Sequence, residues 1–142
     1  MRVRDQSDMG LLTALIIGEA AGEPFTDKLA VACVVKNRVH DVRWPDTWKG
    51  VILQRQQFSS MNSLPRNGEV QLFWRHRYFT NYWTDSWWRE CRFAAFGLLN
   101  EWYQDFTHGA NHYYEHRLIE TPYWARGVDP VYIMGGHWFY RL

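Results

Sequence analysis

The chain has no strong excess of either charge. Sixteen basic and fifteen acidic side chains leave a formal net charge of +1, whereas a dedicated nucleic-acid binder carries a basic excess that neutralises phosphates. Its densest basic patch, Arg75-His76-Arg77, is short, so no nucleic-acid partner is expected. No apolar run is long enough to span a bilayer, which argues against stable membrane insertion. Arg2 and Arg4 are not followed by an uninterrupted apolar stretch, and Glu19 ends the apolar run of residues 11–18 without a small-residue cleavage site behind it. No signal peptide is read from this pattern. Cysteine is scarce. Cys33 and Cys91 lie far apart in apolar helical contexts, without metal-ligand spacing, and buried free thiols are expected rather than a disulfide. Internal repeats, low-complexity tracts and Pro/Ser-rich linkers are also missing, so residues 1–142 read as one domain large enough for a real core.

Aromatic side chains, by contrast, are abundant. They make up 18% of the chain and include nine tryptophans, more than a small core requires. Most should fill that core, while the remainder could line a groove and stack on flat ligand faces such as sugar rings.

The first helix is expected over residues 8–20 with Ser7 as N-cap, and Leu11, Leu12, Leu15 and Ile16 give it one apolar face. Gly22 should supply the C-cap and Pro24 the stop. A second helix, capped by Thr26 and running to Val39, is apolar almost all round, as in a central buried helix. Pro45-Asp46-Thr47 opens a short third helix, 48–54. Residues 56–68 read as loop and 69–79 as helix, and Asp85 caps a longer helix to Gln104. Beyond Gly109 the pattern changes to short aromatic segments, 111–116 and 131–134, expected to be strands. The predicted class is α+β, mostly helical, with a small sheet or hairpin in the C-terminal third.

The chemistry concentrates in Gly18-Glu19-Ala20-Ala21-Gly22-Glu23-Pro24. A carboxyl at the end of an apolar helix, before a Gly and a Pro, can face a cleft while its helix packs into the core, or can simply face solvent. In a cleft, partial burial and the negative end of the helix dipole would both favour the protonated form that a general acid needs.

Further along come Leu29-Ala30-Val31-Ala32-Cys33-Val34-Val35-Lys36-Asn37-Arg38-Val39, Trp44-Pro45-Asp46-Thr47 with Val51-Ile52, and Gln57-Phe58-Ser59. Gly109-Ala110-Asn111-His112-Tyr113-Tyr114, Trp124 and Gly136-His137-Trp138-Phe139-Tyr140 follow in order. Together with the glutamate motif, this succession resembles the SleB/CwlJ-type cell-wall hydrolases over roughly residues 12–140. Ala21 and His108 depart from the family pattern. The resemblance implies a lysozyme-like fold and cleavage of the glycan strand of peptidoglycan, with Glu19 as the catalytic acid.

A conventional glycosidase needs a second carboxylate, and Glu23 is the only one nearby in sequence. Without it, the muramic 6-hydroxyl can itself attack the anomeric carbon, assisted by Glu19 acting as base. That is the lytic transglycosylase route, which the resemblance favours over a hydrolytic muramidase or glucosaminidase. Glu23, Gln57, Ser59, Tyr113, Trp124, His137 and Tyr140 are the expected substrate-binding residues; Phe58 is expected in the core. The expected partner is the peptidoglycan glycan strand, met by a monomer without metal or cofactor. Acting on a cell wall without a signal peptide would suit a phage lysin.

Two rivals remain. His108, His112 and His116 recur every fourth residue and suggest a zinc-dependent peptidase, although no HExxH motif accompanies them. The tryptophans alone would suit a non-catalytic wall-binding domain.

Overall fold

The computed structural model describes residues 5–54 and 86–142. Helix α1 spans Asp8–Ala20. Ser7 caps it, its Oγ accepting the Gly10 amide at 3.0 Å. Leu11 through Ile17 are all buried, so the expected single apolar face is corrected: α1 is enclosed nearly all round, because three other helices pack against it. Its end differs as well. Ala21 takes the C-cap position in ordinary right-handed geometry, and Gly22 is not among the left-handed glycines. The helix stops because Pro24 follows.

Helix α2, Phe25–Val39, begins one residue before the expected cap Thr26. Pro24 holds the N-cap position with its φ at −56°. Its carbonyl accepts the amides of Asp27 at 3.0 Å and Lys28 at 3.2 Å, so the turn closes without a side-chain cap. As expected, α2 is central, and Leu29 through Val35 are buried.

Helix α3 covers Trp48–Ile52, with Thr47 Oγ1 accepting the Gly50 amide at 3.0 Å. It ends short of Gln54 in a tight turn, where the Gln54 amide meets the Val51 carbonyl. Helix α4 spans Ser86–Leu99 rather than reaching Gln104. Glu101 adopts a left-handed φ of 59°, and the Tyr103 ring folds back onto Gly97, where a Cβ would collide with it. Asp85, the loop expected over 56–68 and the helix expected over 69–79 lie outside the described residues, as do Gln57, Phe58 and Ser59.

The C-terminal third forms a three-stranded antiparallel sheet in the order β1-β3-β2, from β1 His112–Glu115, β2 Tyr132–Met134 and β3 His137–Tyr140. Only the outer two were expected as strands; the closing aromatic segment is the central one. Gly135, at φ +57°, and Gly136 make the turn between β2 and β3. Alternation along β1 and β3 sends Tyr113 and Phe139 to the main core and Tyr114, Trp138 and Tyr140 to a second cluster around Ala125. The architecture is α+β and mostly helical, as predicted. Cys33 and Cys91 are buried free thiols.

Candidate active site

A cleft of about 860 Å³ opens between the end of α1 and the sheet. One wall is formed by residues 17–23, and the other by β1, the loop after it and Trp124. Of the residues expected from sequence, Glu19, Glu23, Tyr113, Trp124 and His137 line this cleft.

Glu19 sits in the last turn of α1, half-buried, between exposed Gly18 and buried Ala20. Core packing therefore fixes the helix beneath the carboxyl while Gly18 leaves the other side open. Tyr113 reaches the same space from β1. Burial, with the Glu19 charge adding to it, pushes its phenol well above the usual range, against the opposing effect of Arg38. The hydroxyl is thus a permanent donor at neutral pH. Arg38 is 4% exposed; its Nε donates to the Asn111 carbonyl at 2.7 Å, and its guanidinium lies 5.2 Å from the Trp44 ring centroid. Burial lowers it to about 10, so it remains charged.

Glu23 leaves the turn between α1 and α2 and ion-pairs with Arg117. It also accepts the Gly136 amide at 3.4 Å. Arg117 Nε donates to Glu115 at 2.8 Å, and that bond holds the Glu115 carboxyl below its ordinary value. One guanidinium therefore ties two carboxylates from opposite cleft walls. Buried Lys28 supports the turn from beneath, donating to the Glu23 carbonyl and pairing with Glu90 at 3.3 Å.

His137 is 2% exposed and bonds through Nδ1 to Asp27 Oδ2 at 2.7 Å. Tyr140 is equally buried but does not line the cleft. Its strand position points to the second cluster, where it stacks on Tyr114 and meets the Trp124 ring at 5.5 Å. It thus backs Trp124 rather than facing the cavity.

The three spaced histidines do not converge. His108 is exposed with φ +58°, His112 bonds the Asn111 amide oxygen at 2.8 Å, and His116 stacks on Trp138 at 4.8 Å. Among the described residues, no three metal-ligating side chains are grouped to hold an ion.

Sequence reading missed Asp27, Lys28, Arg38, Glu115 and Arg117 as parts of the site. Asp27 and Lys28 did leave a signal, as adjacent charges just before the apolar run of residues 29–35 in a central helix. Glu115 and Arg117 left none, because their partner Glu23 is remote in the chain.

The model of the family described as cell wall hydrolase matches residues 22–140. The chain belongs to the cell wall hydrolase family. The matched stretch includes the whole sheet and begins just past Glu19. Similar proteins include the spore cortex-lytic enzyme of Bacillus subtilis (strain 168), 34% identical over 133 residues, which are 94% of this chain and 37% of that protein. The spore cortex-lytic enzyme of Oceanobacillus iheyensis is 39% identical over 56 residues, 39% of this chain and 20% of that protein. This family member thus spans well under two thirds of the length of these curated relatives. Its fold matches the catalytic domain of the germination-specific lytic transglycosylase SleB from Bacillus anthracis, with a TM-score of 0.70, 22% identity and 96% of each chain covered. The catalytic domain of the Bacillus cereus SleB protein gives a TM-score of 0.68 at 22% identity, over 99% of this chain and 98% of the other. The lysozyme-like fold expected from the sequence is the one these domains have.

Proposed function

We propose that this chain cleaves the β-1,4 bond between N-acetylmuramic acid and N-acetylglucosamine in bacterial peptidoglycan, as a lytic transglycosylase. Glu19 is the general acid and then the base. The observation that carries this reading is the place of Glu19, in the cleft wall at the end of a buried helix, with Tyr113 and Trp124 lining the same cleft. Glu23 and Glu115 are bridged to each other by Arg117.

Glu19 gives its proton to the bridging oxygen as the bond to the anomeric carbon breaks, leaving an oxocarbenium-like centre. The muramic 6-hydroxyl then attacks that carbon and returns a proton to Glu19. A new C–O bond replaces the old one, and a 1,6-anhydro end forms without water. Tyr113 and Trp124 supply a phenolic donor and an aromatic face for the saccharide. Family membership and the likeness to spore cortex-lytic enzymes support the wall glycan as substrate and the cell wall as the place of action; that the chain works as a monomer is part of the proposal.

Hydrolysis with Glu23 as second carboxylate is the alternative, since Glu23 also lines the cleft. Mass spectrometry of muropeptides released from purified sacculi separates the outcomes. Anhydro-muramic ends are expected, reducing ends would indicate a hydrolase, and free stem peptides would indicate a peptidase. Glu19→Gln should abolish release while leaving the fold intact. Wild-type lysis by that variant overturns the assignment, and wall binding without any release marks a binding domain.

A further inference from the structure

Helix α2 buries an acidic side chain, Asp27, in its first turn. Asp27 has no exposed surface. One of its oxygens meets His137 Nδ1 at 2.7 Å, while the other, Oδ1, is buried without a hydrogen-bond donor. An orphaned carboxylate oxygen is costly, and an apolar pair in its place is often no less stable. A pair kept at that cost, with its histidine on the cleft wall, invites a functional account.

The ring of His137 has two mechanical connections to the site. It stands edge-on to Tyr113 with centroids 5.2 Å apart and planes at 88°, and Tyr113 lines the same cleft as Glu19 from the opposite wall. It also follows directly after Gly136, whose amide faces Glu23. Packing around the pair brings in Glu23 from the turn before α2, Glu115 and Tyr113 from β1, and Tyr132 from β2. Of the nearby cations, Arg117 is bound to Glu23 and Glu115, while Lys28 bonds to the Glu23 carbonyl and Glu90. The ionisable neighbours facing the imidazole are thus mostly acids, which favour its charged form.

We propose that Asp27 is a positioning residue of the active site: it holds His137 as a fixed imidazolium, Nδ1–H on the carboxylate, and through that ring it orders Tyr113 and the Gly135-Gly136 turn. The inference rests on the cleft being the catalytic site. Burial alone would push His137 down, but the bond and charge of Asp27, backed by Glu115 and Glu23, raise it above its ordinary value. Burial also raises Asp27, against the bond and charge of His137. In both directions the pair retains protons. When the ring finally loses its Nε2 proton, the Nδ1–H bond remains but is no longer charge-assisted, Asp27 is left as a buried carboxylate beside a neutral partner, and the hold on the turn and Tyr113 weakens. Activity should then fall on the alkaline side.

The test is a nitrogen-15 titration of the His137 ring in the wild type and in Asp27→Asn, alongside muropeptide release across pH. In the wild type the ring should stay doubly protonated above pH ~6.5. In Asp27→Asn it should titrate at least about one unit lower, and the alkaline limb of activity should move down with it. A ring already neutral at pH ~6.5 in the wild type overturns the proposal, and so does an Asp27→Asn profile that coincides with wild type. Should Asp27→Asn fail to fold, the wild-type titration decides alone. Glu19→Gln should leave the ring titration in place, which separates failure of this proposal from failure of the catalytic assignment.

Discussion

Arg117 and Glu23, 94 positions apart in the chain, form an ion pair across the end of the cleft. The contact joins the loop after β1 to the turn between α1 and α2, the segment that follows Glu19. Arg117 is about half exposed whereas Glu23 is mostly shielded, so the pair should matter more for the shape of the site than for global stability. In Arg117→Ala the carboxylates of Glu23 and Glu115 lose their common partner and repel each other. Lytic rate on sacculi should drop several-fold, with little change in melting temperature. Arg117→Lys should recover only part of the rate, because an ammonium lacks the planar fork that engages two carboxylates. Rates equal to wild type in both variants would show that the bridge is dispensable.

The turn between β2 and β3 lies against this bridge. A Cβ at Gly136 would collide with the Glu115 carboxylate and the Arg117 guanidinium. Those ends are flexible and can move aside, but Gly135 beside it holds a left-handed φ of +57°, so Gly135→Ala should destabilise the protein by about 1–3 kcal/mol and lower activity. Gly22→Ala is the contrasting case, with open space around its Cβ and no left-handed φ. That substitution should leave stability unchanged or raise it by about 0.4–1 kcal/mol. Denaturant midpoints of the two variants would check the difference.

His112 should make the fold acid-sensitive. Burial, with Arg38 and then Arg43 nearby, lowers its imidazole to about 4, against ~6.5 in an unfolded chain. As pH falls between these values, the unfolded chain takes up a proton that the native state refuses, so stability is lost across that window. His112→Gln should flatten the fall in melting temperature between pH ~7 and ~5; an unchanged slope would assign the acid sensitivity elsewhere.

Both cysteines should be inert in the native protein. Burial pushes each thiol up to about 12, and the thiolate is the reactive species. A thiol-specific disulfide reagent at pH ~8 should label neither Cys33 nor Cys91 until denaturant is added, and a reductant should not shift the melting temperature. Fast labelling of the native protein would contradict their burial.

Much of the fold was legible because local rules suffice for it. Ser7 and Thr47 cap helices where the sequence places them, and the even aromatic pattern after Gly109 forms strands. The errors fall where long-range packing overrides local signals. Leu11, Leu12, Leu15 and Ile16 read as one apolar face because periodicity does not reveal how many neighbours a helix has. Helix α4 stops early because Tyr103 closes back on Gly97, a contact made by the ring and not by helix propensity. The site was legible in the same uneven way. Glu19 stands at a helix end that the apolar run and Pro24 mark out, whereas Tyr140, grouped by sequence with the binding residues, turns by strand alternation into the second cluster.

By itself the sequence determined the four helices α1 to α4 and the two outer strands, their approximate limits, the family motifs and the glutamate at the end of the first helix. These depend on short-range backbone preferences, periodicity and residue order. Tertiary structure alone decided which charges meet. Asp27 finds His137, and Glu23 finds Arg117, only after the antiparallel sheet lays β3 between its neighbours and brings its turn against the start of α2. Such pairing depends on the free energy of removing charges from water together, a quantity that exists only once the chain has closed around them.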